Sequence, residues 1–79
     1  MHVNAKKRLA ILEVLYVARA ESNKVKNGWV AEYDLKNAGG EIDFGLSVLV
    51  ELGHVKQDGN RYRITASGIL AFEDAPALN

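Results

Sequence analysis

The 79-residue chain contains no cysteine. That excludes a disulfide staple, a thiol nucleophile and a thiolate metal site, and it accords with a reducing compartment. Proline occurs once, at Pro76, so nothing forces a helix to break before the C-terminal tail. No apolar run approaches the ~18 residues needed to cross a bilayer, and Met1 to Arg8 shows no small-residue cleavage site of a secretory leader. A cytoplasmic protein without membrane contact is expected. Net charge is also missing, since ten bases balance ten acids, and that argues against a broad basic surface. His2 and His54 are the only histidines, and they match no two-histidine metal spacing and no Ser, His and Asp constellation. Gly39-Gly40 lacks the downstream Gly-Lys-Ser/Thr of a phosphate loop, and Glu41 and Asp43, two positions apart on a helix, diverge. No enzymatic activity, cofactor or metal is expected.

What is present is 48% apolar and 25% charged, the balance of one small globular domain over residues 1–79. A chain this short buries only about 60–65% of its unfolded surface, so a partner subunit would add to a thin core. The zero net charge hides a segregation. Residues 1–28 carry six bases and two acids, giving +4, whereas residues 29–53 hold Lys36 against Glu32, Asp34, Glu41, Asp43 and Glu51, giving −4. Residues 54–65 return to +2 through Lys56, Arg61 and Arg63 against Asp58. An electrostatically two-faced domain is expected.

Asn4 as N-cap and the Gly- and Pro-free stretch from Ala5 to about Glu21 predict a long first helix. Ala5, Leu9, Leu12, Leu15 and Tyr16 form its core stripe, with Ile11 at the margin, while Ala10, Val14 and Val17 make a second apolar strip on the opposite side. One small core does not cover both, so the second strip is read either as the seam of a homodimer or as exposed small residues. Ser22-Asn23 and Asn27-Gly28 bracket a turn, Trp29 onward reads as an extended lead-in to a short second helix, and Ala38-Gly39-Gly40 ends it. A third helix, Glu41 to Leu52, buries Ile42, Leu46, Leu49 and Leu52 and stops at Gly53. Asp58-Gly59, flanked by His54 to Gln57 and Asn60 to Thr65, predicts a hairpin with those two residues in the turn. Thr65 then caps a last helix from Ala66 to about Asp74, offering Ile69, Leu70 and Phe72 to the core before Pro76 stops it. The expected class is mainly α with a β-hairpin (α+β), in the order α-α-α-β-β-α.

That order, with Leu49-Val50-Glu51-Leu52-Gly53-His54-Val55 and Tyr62-Arg63-Ile64-Thr65-Ala66-Ser67-Gly68, resembles the winged helix-turn-helix superfamily, small prokaryotic and archaeal transcriptional regulators in particular. The resemblance covers roughly Ala5 to Phe72 and implies that the third helix is a recognition helix and the hairpin a wing. Winged helices also serve as protein-interaction modules, so the fold alone does not select a function.

With its core stripe inward, the third helix shows Asp43, Phe44, Ser47 and Glu51 outward. None of the Arg, Lys, Asn or Gln side chains that read purines is there, and the three carboxylates of the helix, Glu41, Asp43 and Glu51, would repel phosphates, so this face with Phe44 at its middle suits a protein contact. The hairpin is the opposite. A turn at Asp58-Gly59 sets Lys56 across from Arg61 and His54 across from Arg63, with Val55, Tyr62 and Ile64 inward and all four of the former outward. Like charges across a ladder call for an anionic partner or nearby carboxylates, and a phosphate backbone is the first candidate. Lys6, Lys7 and Arg8 at the start of the first helix are either a further phosphate contact or a solubilising terminus. Trp29, Tyr33, Tyr16 and Phe72 are expected in or at the edge of the core. Two functions therefore stand: a homodimeric duplex-DNA-binding regulator that uses Lys56, Arg61, Arg63, His54, Ser47 and Lys6 to Arg8, or a protein-interaction module that uses the face around Phe44.

Overall fold

The computed structural model describes residues 2–22 and 26–75. Asn23 of the first predicted turn and the Pro76 stop lie outside them. Within the described residues four helices and a three-stranded antiparallel sheet make an α+β domain, in the order α1 (Val3–Ala20), β1 (Val30–Ala31), α2 (Glu32–Gly39), α3 (Asp43–Glu51), β2 (Val55–Asp58), β3 (Arg61–Ile64) and α4 (Ala66–Glu73). The strand order is β1-β3-β2. None of the described helices is long and apolar enough to cross a membrane.

α1 is the element around which the others close, packing on α2, α3, α4 and β3. It buries Ile11, Leu12 and Leu15 against Leu35 of α2, Ile42, Leu46 and Leu49 at α3, and Val55, Tyr62 and Ile64 of the hairpin. Ile11 is thus central to the core and not marginal to it. The N-cap is His2, whose Nδ1 accepts from the Asn4 amide at 3.1 Å, so α1 starts earlier than the Asn4 cap predicted. α3 is shorter than expected, and Leu52 falls just past its end and is 56% exposed, the core face there being filled by Ile42, Leu46 and Leu49. Leu70 is likewise exposed, since Ile69 and Phe72 fill the face that α4 turns to α1. Tyr33, expected near the core, is 74% exposed. Tyr16 and Phe72 stack at 4.9 Å between centroids, and the Tyr16 hydroxyl donates to Glu73 at 2.7 Å.

The hairpin turns at Gly59-Asn60, one residue later than predicted. Asp58 pairs with Arg61, Gln57 with Tyr62, Lys56 with Arg63 and Val55 with Ile64. Gly59 sits at φ +63 while Asn60 keeps a negative φ, the arrangement of a two-residue loop that asks for glycine in its first position only. Lys56 therefore faces Arg63, and not Arg61. The slip relative to expectation is two residues, so the inward and outward faces are unchanged.

The base of the hairpin is knotted to α4. The Thr65 hydroxyl donates to the Gly53 carbonyl at 2.6 Å and accepts from the Gly68 amide at 3.0 Å, capping α4 as expected. The Thr65 amide donates to the His54 carbonyl at 3.0 Å. Gly68 lies so close to that carbonyl that an added Cβ would fall deep inside its van der Waals envelope. At the other end, the Asn60 carbonyl of the turn accepts from the Glu32 amide at 2.8 Å, joining the hairpin tip to the start of α2.

Candidate nucleic-acid interface

Alternation along β2 and β3 sends Val55, Tyr62 and Ile64 inward and leaves Lys56, Arg61 and Arg63 on the outer side of the sheet. Their partners differ. Arg61 donates to Asp58 at 3.2 Å, with side chains 54% and 65% exposed, so that ion pair is worth at most about 1 kcal/mol. The Arg61 guanidinium also lies 5.5 Å from the Trp29 ring centre, a cation–π contact. Trp29 is placed there by β1, which pairs Val30 with Tyr62 and Ala31 with Arg61.

Arg63 donates from Nε to the Asn27 carbonyl at 2.7 Å and from an Nη to the Asn27 side-chain oxygen at 3.3 Å. Both acceptors are neutral, so the charge of Arg63 is oriented without being cancelled. Asn27 and Gly28 take positive φ of 49° and 83° in the reversal before β1, and a Cβ on Gly28 would come within 2.9 Å of the Arg19 side chain. The Lys56 ammonium has no hydrogen-bond or ion-pair partner among the described residues. Three cations against Asp58 leave this face at +2.

The other expected members are elsewhere. His54 precedes β2, is half-buried, and its Nδ1 lies 2.9 Å from the Ser67 hydroxyl, so it belongs to the knot with α4 and not to the outer face. Ser47 sits in a shallow cleft of about 270 Å³ between α3 and the inner side of the hairpin, among Asp43, Glu51, Gln57 and Tyr62. Lys6 and Lys7 are exposed and Arg8 is half-buried. Lys7 borders a recess with Glu41 and Phe44, and the Arg8 stem runs past Gly45, so Lys7 and Arg8 accompany the start of α3 while Arg61 and Arg63 of the hairpin accompany Trp29 and Asn27. Phe44 is 62% exposed between Asp43 and Ser47, as expected. Ala10 and Val17 are exposed, but Val14 of the same strip is half-buried against the core. Sequence reasoning missed Asn27 and Trp29 as companions of the hairpin bases. Their only local signals were an Asn-Gly pair and a tryptophan two residues on.

In the acidic cleft, burial first, then the neighbouring Glu32 carboxylate and more weakly Asp43, push the Tyr62 phenol above its ordinary value. Its hydroxyl donates to Glu32 at 3.4 Å and accepts from Gln57 at 3.2 Å. A phenol whose folded pKa is raised contributes stability that is complete below the unfolded value of about 10 and is lost as pH rises through the folded value. Denaturant midpoints are expected to fall above about pH 10, less steeply in Tyr62→Phe. A residual slope is expected from Tyr16, raised chiefly by its hydrogen bond to Glu73.

No protein-family model, curated protein or solved structure matches the chain.

Proposed function

We propose that the chain is a winged helix-turn-helix domain that acts as a transcriptional regulator and grips duplex DNA by its phosphate backbone. The hairpin is the wing and α2 with α3 the helix-turn-helix. Contact runs through Lys56, Arg61 and Arg63, not through base reading by α3. The observation that carries this is the shared projection of those three cations from the outer side of one hairpin, with only one exposed carboxylate among them. Phosphate oxygens replace the weak Asp58 contact and use the cation that has no partner. Because the exposed side of α3 offers Asp43, Ser47 and Glu51, discrimination between sequences is small.

In a mobility-shift or anisotropy titration, unrelated duplexes are expected to bind alike, with log affinity falling against log salt at a slope of about −2 to −3, as two or three phosphate contacts give. Lys56→Glu with Arg61→Glu is expected to abolish binding at about 50 mM salt while the circular dichroism stays that of the parent. Binding that survives this double change overturns the assignment to the wing. No binding by the parent at that salt turns the case to a second reading, which Phe44, exposed amid Asp43 and Glu51, favours: a winged-helix module that docks α3 on a basic protein.

A further inference from the structure

Lys56 and Arg63 are cross-strand partners on the outer side of the sheet, an arrangement that repels unless something separates or neutralises the two. No carboxylate does so, since among the described residues neither side chain has an ion pair. The relief comes from the other flank. β3 is the middle strand, with β2 and Lys56 on one side and β1 on the other. Asn27 belongs to the reversal that leads into β1, and it draws the Arg63 guanidinium that way through the 2.7 Å bond to its carbonyl and the 3.3 Å bond to its side-chain oxygen. These acceptors are held in place. Gly28 packs on the Arg19 stem, and Arg19 in turn donates to the Ile64 carbonyl at 3.0 Å, so α1 and β3 grip the reversal between them.

An amide at this place is not what stability alone would select. Asn27 has a left-handed backbone at φ 49°, which aspartate tolerates as well as asparagine does. A carboxylate of the same shape would accept the same two bonds and strengthen them by its charge. It would also cancel Arg63. We infer that Asn27 is the positioning residue of this interface: it fixes Arg63 apart from Lys56 with its charge intact, so that each cation meets a phosphate of its own. The Nη of Arg63 that Asn27 leaves unengaged is the donor turned to that phosphate. With its rotamer already set, Arg63 loses little freedom on binding. The inference rests on the DNA-binding reading above and adds to it the residue that orders one of its contacts.

The full chain is titrated into a labelled duplex of arbitrary sequence, read by anisotropy between about 50 and 200 mM salt. Asn27→Asp is expected to lower affinity about tenfold at the lower salt and to make the log–log slope shallower by about 1. Its unfolding midpoint is expected to be no lower than the parent's, because the two bonds to Arg63 persist. Asn27→Gly keeps the positive φ and the carbonyl acceptor, and is expected to bind within about threefold of the parent. In an Arg63→Gln background, adding Asn27→Asp is expected to change affinity less than about threefold, since the cation it would cancel is gone. An unchanged slope, a lowered midpoint, an Asn27→Gly loss as large as that of Asn27→Asp, or a full tenfold loss in the Arg63→Gln background overturns the inference. Where the parent still binds and Lys56→Glu with Arg61→Glu still abolishes binding, such a result leaves the wing assignment standing without it; a parent that does not bind overturns both.

Discussion

Gly68→Ala is expected to lower the unfolding free energy by about 2–4 kcal/mol, read from urea or thermal unfolding followed by circular dichroism. Gly68 takes an ordinary helical backbone, so no positive φ demands glycine there. The demand is space: a methyl group would collide with the His54 carbonyl oxygen and with the Ile64 side chain, neither the yielding end of a flexible chain. Relief requires α4 to shift from the hairpin base, which also stretches the Gly68 amide from its Thr65 cap. A domain of this length has roughly 4–12 kcal/mol in total, so the melting temperature should drop by ~10–25 °C. Gly53→Ala is the informative contrast, because nothing lies within 4 Å of its missing Cβ and only the left-handed backbone at φ +79 resists, costing about 1–2 kcal/mol. Equal losses at the two positions would show that crowding against His54 is not what excludes a side chain at Gly68.

Leu15→Ala is expected to cost about 2–5 kcal/mol. Leu15 has no accessible surface and lies on the helix against which all three other helices and β3 pack, so the cavity it leaves has no wall free to collapse. Leu52→Ala, at 56% exposure, should change stability by less than about 0.5 kcal/mol. Denaturant midpoints for the pair test the burial assigned to each, and comparable losses would contradict it.

Elements whose pattern is local were legible before any coordinates. The Thr65 cap and the Gly53 stop depend on neighbours within a few residues and occupy their expected places, and the Gly- and Pro-free run of α1 is helical as expected but begins at Val3 under a His2 cap. The hairpin turn was misplaced by one residue because Asp58-Gly59 and Gly59-Asn60 are both good turn dipeptides. The choice between them is made at a distance, by the Glu32 amide bonding to Asn60 and by β1 pairing with β3. Leu52 and Leu70 match helical spacing but find their core positions already filled, and periodicity does not report how much room a core has. The candidate interface was half legible. Alternation put Lys56, Arg61 and Arg63 together, but the setting of Arg63 on Asn27, 36 residues away, and of Arg61 on Trp29 is a product of the sheet that β1 joins. His54 was drawn away from that group by Ser67 and the base of α4.

The strand order leaves β1 and β2 as the sheet's two borders, and among the described residues no strand lies beyond β2. An open border of this kind invites another chain to add itself, the first step of amyloid growth. Here the border is four residues long and carries Lys56 at its second position, so a visiting strand gains only a couple of backbone bonds and must lie along an ammonium group. The lysine proposed to meet phosphate thus also stands where a charge discourages strand addition along the longer of the sheet's two borders.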